Sequence, residues 1–175
     1  MPALLTALDQ QLSLNLVIWA FPLAFLMHDL EEIVTMERFR REHRERFPKC
    51  LRNVAAITTR QFILAVGVLL ALTLLASYLA TRSSRQMDLF TTGLAIFLVH
   101  VFGHVGQSLY LRTYTPGVIT AVLVVLPYSL YGFHRLFTAH LIDDNSLTTV
   151  VLVGALLFVP LVLAASQLGK LLIRR

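Results

Sequence analysis

The chain has 175 residues, of which 57% are hydrophobic and only 14% charged, with a mean hydropathy of +0.72 and a formal net charge of +5. Soluble globular domains average about 25% charged residues, so this composition excludes one and indicates an integral membrane protein. The pI near 9.9 is no sign of nucleic-acid binding, because no RNA- or DNA-binding motif is present and the basic residues gather on one membrane face.

The hydropathy pattern predicts an all-α, polytopic membrane bundle of five transmembrane helices in a single domain. The expected spans are approximately 12–35, 60–81, 88–111, 115–137 and 147–169, with a basic cytoplasmic segment at 36–58. About 20 apolar residues are enough to cross ~30 Å of hydrocarbon. The first span has a clean apolar core, Leu16 to Met27, which would suit a signal peptide. No basic region precedes it, no small-residue cleavage site follows, and Glu31 and Glu32 come next, so it reads as a retained span. Beyond it, Glu37, Arg41, Glu42, Glu45 and Arg46 fall at helical spacings that allow opposite-charge pairs, predicting a solvated extension of the first helix to near Phe47-Pro48. Cys50 is the only cysteine, which excludes an internal disulfide. Pro22 and Pro127 are placed to bend spans one and four, and Gly93, Gly103 and Gly106 to let helices pack closely. Asp143 to Ser146 reads as a short loop that caps span five.

Orientation follows from lysine and arginine, which are retained on the cytoplasmic side. One side receives Arg38, Arg40, Arg41, Arg44, Arg46, Lys49, Arg52, Arg60, Arg112, Lys170, Arg174 and Arg175, and the other receives Arg82, Arg85 and Arg135. Twelve against three puts the N-terminus outside and the C-terminus in the cytoplasm. The expected location is a multi-pass position in a bacterial-type inner (plasma) membrane, with anionic lipid explaining the basic face.

Against this apolar background the run His28-Asp29-Leu30-Glu31-Glu32 stands out. Ionisable groups near a helix centre cost about 2.5–3.5 kcal/mol each on insertion scales, and those that persist mark functional sites. Glu31 and Glu32 follow His28 by three and four positions and so share its helix face, whereas Asp29 points about a quarter turn away. In span three, His100, His104 and Gln107 recur at i, i+4 and i+7 and line one face. Both spans run outside to inside, so the two stripes reach similar depth. The inner end also gathers Gln61, Tyr110, Arg112, Tyr114 and Thr120, leaving His134 and His140 near the opposite face.

Imidazole nitrogen and carboxylate oxygen together suit a divalent metal, zinc first and iron or manganese after it. A catalytic zinc takes three protein ligands and keeps one position open. The candidate metal ligands are His28, His100 and His104, with Glu31 or Glu32 completing the shell or acting as general base toward water. Glu31 and Glu32 are therefore the candidate catalytic carboxylates. That chemistry would hydrolyse or modify a lipid-like substrate at the cytoplasmic leaflet. Arg112, Gln107 and Tyr114 are the candidate substrate contacts, Arg112 because its planar fork matches phosphate or carboxylate.

The residues His28-Asp29-Leu30-Glu31-Glu32 resemble the membrane proteins named for the HXXEE motif. The likeness extends over most of the chain, through His100-Val101-Phe102-Gly103-His104 and Tyr114-Thr115-Pro116-Gly117-Val118-Ile119-Thr120-Ala121. That family is of uncharacterised function. The resemblance implies a shared membrane fold and a metal-dependent activity, and names no reaction.

Other chemistries fit the residues less well. Ferritin-like di-iron centres want about four carboxylates and two histidines. Histidine-rich oxygenases use more imidazoles than can converge here, and a haem held between His28 and His100 or His104 would leave two adjacent carboxylates without purpose. A proton relay or transporter is the alternative of a different class. Against it, five spans give no inverted repeat, and the acids cluster at one depth, although a homo-oligomer would supply a longer path. The remaining alternative is a non-catalytic structural membrane protein whose acids mark the end of span one and whose histidines bond between helices.

Overall fold

The computed structural model describes residues 13–43, 57–83 and 86–173, and among these every regular element is helical. In chain order they are α1 (Leu14–His43), α2 (Thr59–Arg82), α3 (Met87–Leu111), α4 (Val118–Thr138) and α5 (Asp144–Leu172). Helices α2 to α5 are each long and apolar enough to cross a membrane, and they overlap the second to fifth predicted spans.

At ~1.5 Å per residue, the 30 residues of α1 extend about 45 Å, well beyond the ~30 Å of a hydrocarbon core. Its last turns carry charge: Arg38 Nε lies 2.9 Å from Glu42 Oε1 at i,i+4 spacing, and that hydrogen bond holds the Glu42 carboxyl below its ordinary range. The predicted solvated extension is thus helical as far as His43; its expected end at Phe47-Pro48, like Cys50, lies outside the described residues. The extension folds onto the start of α2, where Thr59 donates to Glu37 Oε2 at 2.9 Å, Arg40 donates to the Ile57 carbonyl, and Phe39 is buried.

The helix ends follow local chemistry. Thr58 and Gln61 form a reciprocal capping box at the start of α2. The Asp143 carboxylate accepts from the Ser146 amide at 2.7 Å and starts α5, as the sequence predicts, which keeps its carboxyl below the usual range. In α4, Ala121–Val125 is wound as a π-helix immediately before Pro127. Proline lacks the N–H that would reach back four residues, and a π turn accommodates that loss.

The core is centred on Phe21 of α1. Its ring meets Phe90 edge-on at 5.6 Å, Phe97 at 5.6 Å and Tyr128 in a stack at 6.2 Å. Ile18, Leu94, Val125 and Leu136 close around it. Helix α3 touches all four other helices, so residues on its faces can meet partners from each. Of the three glycines expected to allow close packing, Gly93 does so against the Phe21 ring. Gly103 has ordinary contact distance to Phe158, and a Cβ at Gly106 would meet open space. Glycines that bring helix backbone against helix backbone are instead Gly154, at Ala95, and Gly169, at the Gln61 carbonyl.

Pro22 lies inside α1 and cannot donate to the Ile18 carbonyl four residues back. That carbonyl instead accepts from the Ser77 hydroxyl of α2 at 3.0 Å, in a fully buried contact, and Tyr128 of α4 donates to the neighbouring Val17 carbonyl at 3.0 Å. The proline therefore creates the acceptor that ties α1 to α2. Ser77→Ala should lower unfolding free energy by about 1 kcal/mol in detergent, and the same change in a Pro22→Ala background should cost less than half of that, because the helix then satisfies its own carbonyl. Equal costs in the two backgrounds would show that Ser77 acts by packing alone.

Candidate metal centre

Successive residues of a helix are ~100° apart, so the motif fans out around α1 in the angular order Glu31, His28, Glu32, Asp29. Its four members meet three different surroundings. Glu31 faces the start of α4, His28 and Glu32 face α3, and Asp29 lines a cavity walled by α2 and α5.

His28, His100 and His104 converge on one point. Their rings are nearly perpendicular to each other, at 88°, 81° and 90°, with centroids 5.0, 4.8 and 4.2 Å apart. His100 Nε2 lies 3.0 Å from His28 Nε2 and 2.6 Å from His104 Nε2, and Glu32 Oε1 lies 3.0 Å from His104 Nε2. All four atoms fall within 4.8 Å of one another, so the group can hold a metal ion. His28, Glu32 and His104 are buried, while half-buried His100 faces the cavities on either side.

Proton positions decide whether these contacts satisfy themselves. Thr120 Oγ1 donates to Glu31 Oε2 at 2.5 Å, so it is left to accept from His28 Nδ1 at 3.0 Å. His28 then carries its proton on Nδ1 and turns a bare Nε2 lone pair toward the centre. With Glu32 ionised, a bond from His104 to Glu32 needs a proton on His104 Nε2, and a bond from His100 to His28 needs one on His100 Nε2. Those two protonated nitrogens would then face each other at 2.6 Å. With neutral imidazoles, the His28 proton on Nδ1 and Glu32 ionised, no arrangement of protons gives a donor–acceptor pair at all three contacts, whereas a cation bound by three imidazole lone pairs and a carboxylate satisfies each of them.

Glu31, expected beside Glu32 as a catalytic carboxylate, is committed elsewhere. Its Oε2 accepts from the Thr120 amide at 2.7 Å and from the Thr120 hydroxyl, and its Oε1 accepts from Tyr114 Oη at 2.6 Å and the Ile119 amide at 3.4 Å. The carboxylate thus sits on the exposed amides of the α4 N-terminus, where negative charge is favoured, and it orients His28 through Thr120. Tyr114, expected to touch substrate, spends its hydroxyl on Glu31 instead. Gln107 does line the cavity beside His104, together with Arg40, but Arg112 lines neither cavity that borders the centre. Arg112 is the left-handed residue that closes α3, with φ of 50°.

Two contributors were not singled out from the sequence. Thr115 to Val118 forms a turn, closed by the Val118 amide donating to the Thr115 carbonyl at 3.1 Å, with Pro116 and then Gly117 at φ 83°, ψ −12°. This is the type II pattern, which calls for glycine at its third position. A Cβ on Gly117 would also fall 2.7 Å from His104 Cε1 and 2.9 Å from Glu32 Oε1, so the turn packs directly on the centre. The Pro-Gly pair signals the turn, but nothing in it reveals the contact. The other contributor is Asp29, whose quarter turn away from His28 points it into the cavity lined by α2 and α5.

Comparison with known proteins places this geometry. The sequence model of a family described as a protein of unknown function with HXXEE motif matches residues 19–132, more than half of the chain. The chain belongs to the HXXEE family. No curated protein and no solved structure matches it. The motif letters of the HXXEE family are His28, Glu31 and Glu32, and the matched stretch also includes His100, His104, Gly117 and Thr120. Helix α5 lies outside it. In metal-free protein, 15N spectra of labelled histidine should show His28 protonated at Nδ1, and Thr120→Val should move that proton or mix the two tautomers. An Nε2-protonated His28 in wild type would refute the orienting role of Glu31 and Thr120.

Proposed function

We propose that this HXXEE protein is a metal-dependent membrane enzyme that hydrolyses or modifies a lipid-like substrate, with α1 as a fifth span, the N-terminus outside and the C-terminus in the cytoplasm of a plasma-membrane-type bilayer. The reading is carried by the convergence of His28, His100 and His104 Nε2 with Glu32 Oε1, in a proton pattern that neutral imidazoles beside an ionised Glu32 do not satisfy. A divalent ion held there, zinc first, would supply Lewis acidity and make water a stronger acid near neutral pH.

The chain's own residues then have distinct tasks. His28, His100 and His104 would hold the ion. Glu32 borders both cavities and is the residue to take a proton from attacking water and return it to the leaving group. Glu31 and Thr120 fix the tautomer of His28, a supporting role whose loss typically lowers metal affinity ten- to a hundredfold. Gly117 keeps His104 and Glu32 close together. Gln107 and Arg40 line the second cavity, where a headgroup would lie, and Arg112 is left as an anchor on the basic face.

A proton relay draws on the same contacts, since Glu31, Thr120, His28, His100, His104 and Glu32 succeed one another at 2.5–3.0 Å. A haem between His28 and His100 fits poorly, because Nε2 atoms 3.0 Å apart leave no space for a macrocycle between them.

Metal analysis of protein purified without a histidine tag should give about one equivalent per chain, with His28→Ala and His104→Ala well below it. Glu32→Gln at saturating metal should keep the ion and lose about 10²- to 10⁴-fold in turnover of a long-chain fluorogenic ester. Sub-stoichiometric metal in wild type, together with proton flux in liposomes, would favour the relay.

A further inference from the structure

We propose that the cavity on the α2 and α5 side of the centre seats a single aliphatic chain of the substrate, entering sideways from the bilayer, and that Asp29 accepts a hydrogen bond from a hydroxyl or amide N–H at the polar end of that chain. The proposal rests on the lipid-like substrate reading and specifies its class as a single-chain amphiphile with a donor next to the chain.

The cavity has a volume of about 380 Å3, within the ~300–1,000 Å3 of small-molecule sites. Its walls are almost wholly apolar, contributed by all of the helices except α4, and its polar end is formed by His28, Asp29, Glu32 and His100. Four of its lining residues, Leu72, Leu75, Leu89 and Leu157, are themselves 42–57% exposed. They belong to α2, α3 and α5, three of the helices apolar enough to span a membrane. The opening therefore lies on a surface that a bilayer covers with acyl chains, and a chain can slide in without crossing water.

Asp29 supplies the second, independent observation. It is only 6% exposed, and its Oδ2 has no hydrogen-bond partner among the described residues. A buried carboxyl oxygen without a hydrogen-bond partner is costly, and in an apolar wall the partner that removes that cost is one brought by a ligand. Across the centre lies a second cavity of about 560 Å3 that shares Glu32 and His100 with the first and adds Arg40 and Gln107. An amphiphile lying through both has its chain among the leucines, its donor at Asp29, its linkage beside His100 and Glu32, and its headgroup near Arg40.

The test uses the full chain in detergent, labelled with a long-chain fatty alcohol carrying a mid-chain diazirine, and compares it with the same probe as its methyl ether. Mass spectrometry should place the adducts on cavity residues such as Ala65, Leu69 and Ala165. Alcohol labelling should exceed ether labelling about tenfold, the scale of one hydrogen bond to a buried acceptor. Asp29→Leu should bring the alcohol down to the level of the ether and leave the ether unchanged. Leu72→Trp, a substitution at the exposed portal, should reduce both. Adducts spread evenly over the exposed leucines of every helix, or labelling indifferent to Leu72→Trp and Asp29→Leu, would overturn the proposal. Labelling is read without turnover, so it separates the two claims. A cavity that labels as expected in protein that binds no metal supports the chain site and sinks the metal reading; a metal-replete protein that labels at random does the reverse.

Discussion

Three imidazole nitrogens and a carboxylate oxygen drawn to one buried point are the constraint around which the rest of this molecule is arranged. Bringing them within 4.8 Å requires α1 and α3 to lie side by side with matched faces, and it requires something to hold each ring. The aromatic cluster around Phe21 sets the helix spacing one to two turns away, and Phe97 touches both Phe21 and His28. The α4 N-terminus holds Glu31, Glu31 holds Thr120, and Thr120 holds His28. The turn admits no side chain at Gly117 because His104 and Glu32 occupy that space.

The same geometry explains why ionisable groups persist in an apolar chain. A lone carboxylate or imidazole in such surroundings is strongly unfavourable. Here most of the charge-bearing atoms have partners whose positions are fixed by helices and capped helix ends, so reorganisation on ligand binding is small, which is what a catalytic or coordinating site requires. The cavities that flank His100 give the centre two approaches, one among leucines and one past Arg40 and Gln107.

Much of this was legible in the sequence. The apolar windows located four membrane-grade helices, and helical spacing put His28 with Glu32 and His100 with His104. Because the two segments were expected to run in the same direction at similar depth, three imidazoles and both carboxylates were expected to meet, and among the described residues all but Glu31 do. What stayed hidden depends on contacts between distant segments. Spacing alone puts Glu31 and Glu32 on one face, but the ~100° between them sends one to α4 and the other to α3. Asp29 is a quarter turn from His28 by spacing, and only the packing of α2 and α5 shows that the side it faces is a cavity. Arg112 looked suited to a headgroup from its place at the end of a span, yet it closes α3 in a left-handed conformation, and the cavity arginine is Arg40. Gly103 and Gly106 sit in a helix interior like packing glycines but border a cavity, which sequence spacing does not encode.

X-ray absorption at the zinc edge of zinc-loaded, purified protein tests the central claim most directly, since it reads the atoms around the ion without reference to any substrate. The account predicts a shell of nitrogen and oxygen at about 2.0–2.1 Å with the outer-ring scattering of three imidazoles, falling to two in His100→Ala. A shell of water and carboxylate oxygen with no imidazole scattering, or one unchanged by loss of His100, would contradict it.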